Sequence, residues 1–139
     1  MPKAYAYTRN GGPETETFIE RDRPRPGPGQ LLVAVRAAGV NPVDWKLRGG
    51  LRRPGSPEPE LPAVFGSEVA GVVAELGPGV TGFAVGDAVF GNPVGGGYAE
   101  YALLPLPVTA RKPAGLTFTD AATLPVAGAT AYDGVRQLD

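Results

Sequence analysis

Glycine and proline, 21 and 16 of them in 139 residues, cut this chain into apolar runs too short for any long helix. Glycine in a helix interior forfeits backbone entropy, and proline removes a donor and clashes with the preceding turn. The breakers fall between apolar runs, and 42% of the residues are hydrophobic, so the pattern is one of short strands and tight turns rather than disorder.

Read along the chain, "KAYAYT" (3–8) and "TETFIER" (15–21) alternate like strands on either side of the turn cluster "NGGP", which predicts a hairpin. "DRPRPGPGQ" (22–30) is a loop and "LLVAVRAAGV" (31–40) a half-buried strand. "NPVDWKLRGG" (41–50) suits one helical turn stopped by Gly49 and Gly50, and "LRRPGSPEPELP" (51–62) is a surface loop. "AVFGSEVAGVVAEL" (63–76) reads as one long strand, bent or bulged at Gly66 and Gly71. "AVGDAVFG", "GGGYAEYALL" and "VTARKP" supply three more strand candidates. The alanine-rich end, 116–139, is helical in character, with Thr117 and Asp120 spaced as a capping box and Pro125 dividing it in two. The expected fold is mainly β: a small, partly open barrel of about seven strands with helices appended.

Composition narrows the chemistry. With no cysteine and no histidine there is no disulfide framework, no thiolate or imidazole zinc ligand, and no base of ordinary pKa near 7. A net charge of −1 gives no pull towards nucleic acid or an anionic membrane. No stretch approaches the roughly 20 apolar residues of a membrane span, and the first ten residues lack a signal peptide's apolar core. A cytoplasmic protein without a nucleic-acid or membrane partner is the expectation.

"GPGVTG" (77–82) matches the glycine spacing of the dinucleotide-binding fingerprint. That fingerprint needs a helix opening from its third glycine, so that the helix N-terminus meets the pyrophosphate. Only "FAV" separates Gly82 from Gly86, and no helix fits. The stretch reads as a turn between strands, and Glu100, at the distance of a ribose-binding acid, loses its meaning with it.

Three stretches carry chemistry instead. "GVNPVDWKLRGG" (39–50) packs an amide, a carboxylate, an indole and a lysine on a turn stiffened by Pro42. "FGSEVAGVV" (65–73) embeds Ser67 and Glu68 in an apolar run, where a buried carboxylate needs a partner; an arginine is the expected one. "GGGYAEYA" (96–102) sets Tyr98 and Glu100 on one strand face and Tyr101 on the other.

In this order, followed by "KPAGLTFTDAATLPVAGATAYDGV", these stretches resemble the N-terminal, GroES-like catalytic domain of the medium-chain dehydrogenase/reductases, in the zinc-independent quinone oxidoreductase branch. Zinc-containing relatives carry a cysteine at the position of Asn41 and Gly-His-Glu at that of Gly66-Ser67-Glu68, so the resemblance implies no metal site. It also implies hydride transfer from NADPH to a quinone or to the β-carbon of an α,β-unsaturated carbonyl, with the cofactor's glycine-rich loop in a separate Rossmann domain. The residues it singles out are Asn41 beside the nicotinamide, Asp44 in the same motif, and Lys46 where some relatives place a pocket tyrosine. It adds Trp45 and Ser67 near the substrate, and Thr130 approaching the carboxamide. Tyr98 and Tyr101 are expected in the core or a domain interface. Asp44 as a helix cap, Lys46 as a solvated lysine, Trp45 as packing and Thr130 bonding to its own helix turn are the plainer roles each residue type also permits.

The resemblance divides the chain into a catalytic domain, 1–124, and the start of a helical connection, 125–139, to a Rossmann domain that lies outside it. A truncated chain, inactive alone and without tight NADPH binding, is then expected. Asp139 and the terminal carboxylate would add negative charge at the negative pole of the last helix. Val126, Ala129, Tyr132, Val135 and Leu138 form an apolar stripe there, which predicts self-association. A non-enzymatic GroES-like interaction or self-assembly module is the alternative reading. A single-stranded nucleic-acid-binding barrel is disfavoured because the arginines cluster in loops amid acids.

Overall fold

The computed structural model describes residues 1–138 and contains eight strands in two antiparallel sheets. The first sheet has the order β2-β1-β4, with β1 at Lys3–Tyr7, β2 at Glu16–Glu20 and β4 at Ala63–Val64. The expected hairpin is present, β1 and β2 pairing from Lys3–Glu20 to Tyr7–Glu16. The second sheet has the order β7-β3-β5-β6-β8, built from β3 (Gln30–Ala38), β5 (Val69–Leu76), β6 (Ala88–Gly91), β7 (Tyr101–Pro105) and β8 (Thr109–Arg111). The sheets do not close into a barrel; they are joined by the Ala4–Ala99 bridge and by Tyr5 N–H donating to Tyr98 O.

The core lies on one face of the larger sheet. Leu31, Val33, Val69, Val73, Val89, Ala102 and Leu104 are buried together there, at alternating positions of four neighbouring strands. Each buried valine or leucine contributes roughly 1.5–3 kcal/mol relative to exposure. β3 and β5 pair along almost their full length, with register shifts at Leu32/Val33 and Val35/Ala37. Gly71 allows that pairing, since a Cβ there would run into the Ala34 carbonyl.

Several expected strands are shorter than the sequence suggests: "AVGDAVFG" is a strand only at Ala88–Gly91 and "VTARKP" only at Thr109–Arg111. The run 63–76 is divided between β4 and β5, which belong to different sheets. The break is at Gly66, whose φ of +104° no β-branched neighbour could adopt. "GGGYAEYALL" becomes a strand only at Tyr101, because Tyr98 N–H is taken by Phe65 O instead of a ladder partner. Tyr98 and Glu100 therefore share no strand face. Glu100 accepts from Lys3 N–H, and Tyr101 lies under the Arg23 guanidinium, 4.6 Å away.

The helices are short. α1 spans Pro42–Arg48, with Pro42 in the first turn, where its missing N–H costs nothing. α2, Phe118–Ala121, opens at Thr117, whose hydroxyl accepts from Asp120 N–H. Ala121 and Ala122 pack it on Ala70 of β5. A π-helical turn, Leu124–Gly128, then runs into α3, Ala129–Arg136, so the division expected at Pro125 falls just before that turn. Every residue of α3 is exposed; Tyr132 and Val135 are each 63% accessible. Asp139, expected to oppose the helix dipole, lies outside the described residues. Among the described residues no helix is long and apolar enough to cross a membrane.

Candidate active site

The site forms where α1 meets the break between β4 and β5. Asn41 precedes Pro42 in extended backbone, and Asp44 turns back to accept Asn41 N–H at 2.9 Å. This is the capping role open to Asp44, but it is not the whole of it. The same Oδ2 accepts the Tyr98 hydroxyl at 2.8 Å, and Asp44 is only 7% exposed. Burial, and then the Asp44 carboxylate, push the Tyr98 phenol well above its usual pKa, so the ring holds its proton.

Glu68 is the most deeply buried acid, 2% exposed. The arginine expected beside it is absent. Its Oε1 accepts from Asn41 Nδ2 at 2.8 Å and its Oε2 from Val126 N–H, also at 2.8 Å. Neutral amide donors, brought from 27 residues upstream and 58 downstream, take the place of the cation.

Two cavities adjoin these groups. A small one of about 160 Å³ is bounded by Asn41, Asp44, Trp45, Phe65 and Tyr98, with Tyr5. A larger cleft of about 530 Å³ is bounded by Tyr7, Asp44, Leu47, Val64, Phe65 and Ser67. Asp44 and Phe65 border both. The larger volume is that of a small-molecule site, and its lining is mixed, with Arg21, Asp44, Glu60 and Ser67 among the apolar residues. It can admit a planar apolar ring and offer it a hydroxyl and a carboxylate.

Asn41, Asp44 and Trp45 thus border the smaller cavity, and Asp44 and Ser67 the larger one beside it. Trp45, expected to pack, is 55% exposed at the rim of the smaller cavity. Lys46 is not part of the group: it is exposed and sits 5.6 Å over the Trp45 ring, on the side of Gly49 and Leu51. Thr130 is exposed on α3, one turn beyond the Val126 N–H that Glu68 holds. Sequence reasoning missed a supporting pair behind the small cavity. Glu16 accepts the Tyr5 hydroxyl at 2.8 Å and forms an ion pair with Arg48 of α1. That hydrogen bond raises the Tyr5 pKa. The alternation of "TETFIER" marks Glu16 as a strand position, but nothing local to it indicates a partner 32 residues away.

The family description "Alcohol dehydrogenase GroES-like domain" matches residues 27–114. The chain belongs to that family. Its relatives are quinone oxidoreductases of the medium-chain dehydrogenase/reductase superfamily, matched over their N-terminal part. The chain is 36% identical over 130 residues to the chloroplastic quinone-oxidoreductase homolog of Spinacia oleracea, covering 91% of this chain and 39% of that protein. The chain therefore spans about two-fifths of that relative's length. Among solved structures, a quinone oxidoreductase of Pseudomonas syringae superposes with a TM-score of 0.90 at 34% identity, over 99% of this chain and 42% of its own. A mycobacterial protein complexed with NADPH superposes with a TM-score of 0.87 at 36% identity, over 98% of this chain and 40% of its own. Within this GroES-like fold "GPGVTG" is the turn between β5 and β6, with no helix after it.

Proposed function

We propose that this chain is the substrate-side domain of an NADPH-dependent oxidoreductase that reduces quinones or α,β-unsaturated carbonyls without a metal ion. The observation that carries the reading is the convergence of Asn41, Asp44 and Ser67 on two adjoining cavities lined by Phe65, in a chain whose relatives are quinone oxidoreductases.

The donor set fits one end of the cofactor only. Asn41 and the hydroxyls of Ser67 and Thr130 match a carboxamide and ribose hydroxyls, whereas the Gly77–Gly82 turn has no helix N-terminus for a pyrophosphate. When bound, the reduced nicotinamide supplies the hydride. The protein's part is to hold an acceptor ring in the larger cleft, exclude water from it and stabilise charge growing on its oxygen. With neither cysteine nor histidine to bind a Lewis-acidic zinc, Ser67 supplies a hydroxyl donor in that cleft, and the second Asn41 N–H belongs to the smaller cavity that adjoins it. Asp44 and Tyr98 fix the turn that carries Asn41. Residues 125–139 begin the connection to the part that would hold the rest of the cofactor, and the chain alone binds it weakly.

The test is a titration of the labelled chain with reduced nicotinamide mononucleotide, the half of the cofactor this domain would meet. Millimolar additions are expected to shift the resonances of Asn41, Ser67 and Thr130 and to leave Gly77–Gly82 unmoved. Saturable shifts confined to the Gly77–Gly82 turn, or none at all, would contradict the assignment.

A further inference from the structure

The way Glu68 is bonded settles which way Asn41 faces. A carboxylate only accepts hydrogen bonds, whereas an asparagine amide presents a donor on one side and an acceptor on the other. With Oε1 at 2.8 Å, the favourable arrangement turns Nδ2 inwards and Oδ1 away. Oδ1 is thereby left on the side of α1, where the Asn41 side chain and Asp44 form a capping box, and one N–H remains for a ligand. The other oxygen of the same carboxylate is occupied by Val126 N–H, in the turn that leads into α3. The pocket around this carboxylate is built to its shape. Gly39 has no left-handed φ, yet a Cβ there would run into the Glu68 side chain, so the glycine is present for space. Gly39 N–H also donates to Glu68 O.

We propose that Glu68 is the positioning residue of the site: one carboxylate fixes the donor–acceptor sense of Asn41 and makes it depend on the seating of the segment that carries Thr130. The two candidate cofactor contacts, on α1's leading turn and on α3, are thereby held in one geometry. The proposal deepens the oxidoreductase reading and rests on it for its purpose, but its geometry is testable without turnover.

The experiment is NMR on the full 139-residue chain, labelled with ¹³C and ¹⁵N. In the wild type, couplings across hydrogen bonds are expected from the Glu68 carboxyl carbon to both Asn41 Nδ2 and Val126 N. Glu68→Gln separates the two roles. Val126 N–H can only donate, so it keeps the Gln oxygen and its slow exchange, within about threefold. The Gln NH₂ then faces Asn41, whose amide turns its oxygen inwards. The Asn41 coupling is lost and its carboxamide shifts move. Glu68→Ala is expected to speed Val126 exchange about tenfold or more; if that variant does not fold, the wild type and Glu68→Gln decide the matter. A wild type without the Asn41 coupling overturns the proposal. So does a folded Glu68→Gln chain whose Asn41 carboxamide is unmoved, because a carboxylate with a purely structural role would lose stability without turning its neighbour. Neither result bears on whether the domain serves an oxidoreductase, which the nucleotide titration decides separately.

Discussion

The Tyr98 hydroxyl donates to Asp44 Oδ2 across 2.8 Å, tying the loop before β7 to the first turn of α1. Removing it by Tyr98→Phe leaves a buried carboxylate with one fewer donor. A loss of about 1–2 kcal/mol is expected, measured as a lower urea midpoint with an unchanged slope.

The same bond sets a pH dependence. The folded-state pKa of Tyr98 is raised above its ordinary value of 10, so the folded chain keeps a proton that the unfolded chain releases. Its contribution is complete below about pH 10 and is lost as pH rises towards the folded value. The stability difference between wild type and Tyr98→Phe should shrink between neutral pH and the alkaline limit of the assay. A difference that grows with pH would contradict the assignment of the proton to Tyr98.

Gly39 faces Glu68 with no room for a side chain. Gly39→Ala is expected to cost about 1–3 kcal/mol, the range for forced overpacking, in chemical denaturation. It should also loosen Val126, because the displaced carboxylate abandons both donors. A neutral substitution would mean that the carboxylate moves freely.

The helix cap at Thr117 offers a control that bonds to neither Asn41 nor Glu68. Thr117→Ala should cost about 1 kcal/mol by loss of the bond to Asp120 N–H. The Asn41 carboxamide resonances should not change.

Tyr132 and Val135 on α3, with Leu138 just beyond it, leave apolar side chains exposed. We expect self-association of the isolated chain, seen as a concentration-dependent sedimentation coefficient and abolished by Tyr132→Lys with Val135→Lys. Coefficients that do not change with concentration would remove this expectation.

Local signals were legible in the sequence wherever they were self-contained. Pro42, Gly49 and Gly50 bracket α1 as expected, the hairpin of β1 and β2 follows from its turn cluster, and the missing helix after Gly82 identifies "GPGVTG" as a turn. The apolar setting of Glu68 announced a buried acid, but not its partners. Asn41 and Val126 reach it only through the tertiary fold, and a cation was the reasonable local expectation. The strand expected at Tyr98 failed for the same reason: Phe65 O competes for its N–H from another part of the chain. Lys46 sits in the recognisable motif yet borders neither cavity; it is exposed, over the Trp45 ring.

The most direct measurement is turnover by a chimera in which this chain replaces the matching segment of the spinach quinone-oxidoreductase homolog. NADPH oxidation that depends on an added quinone or enone is expected, slowed about tenfold or more by Asn41→Ala. A folded chimera that binds NADPH yet leaves every quinone and enone unreduced would contradict it.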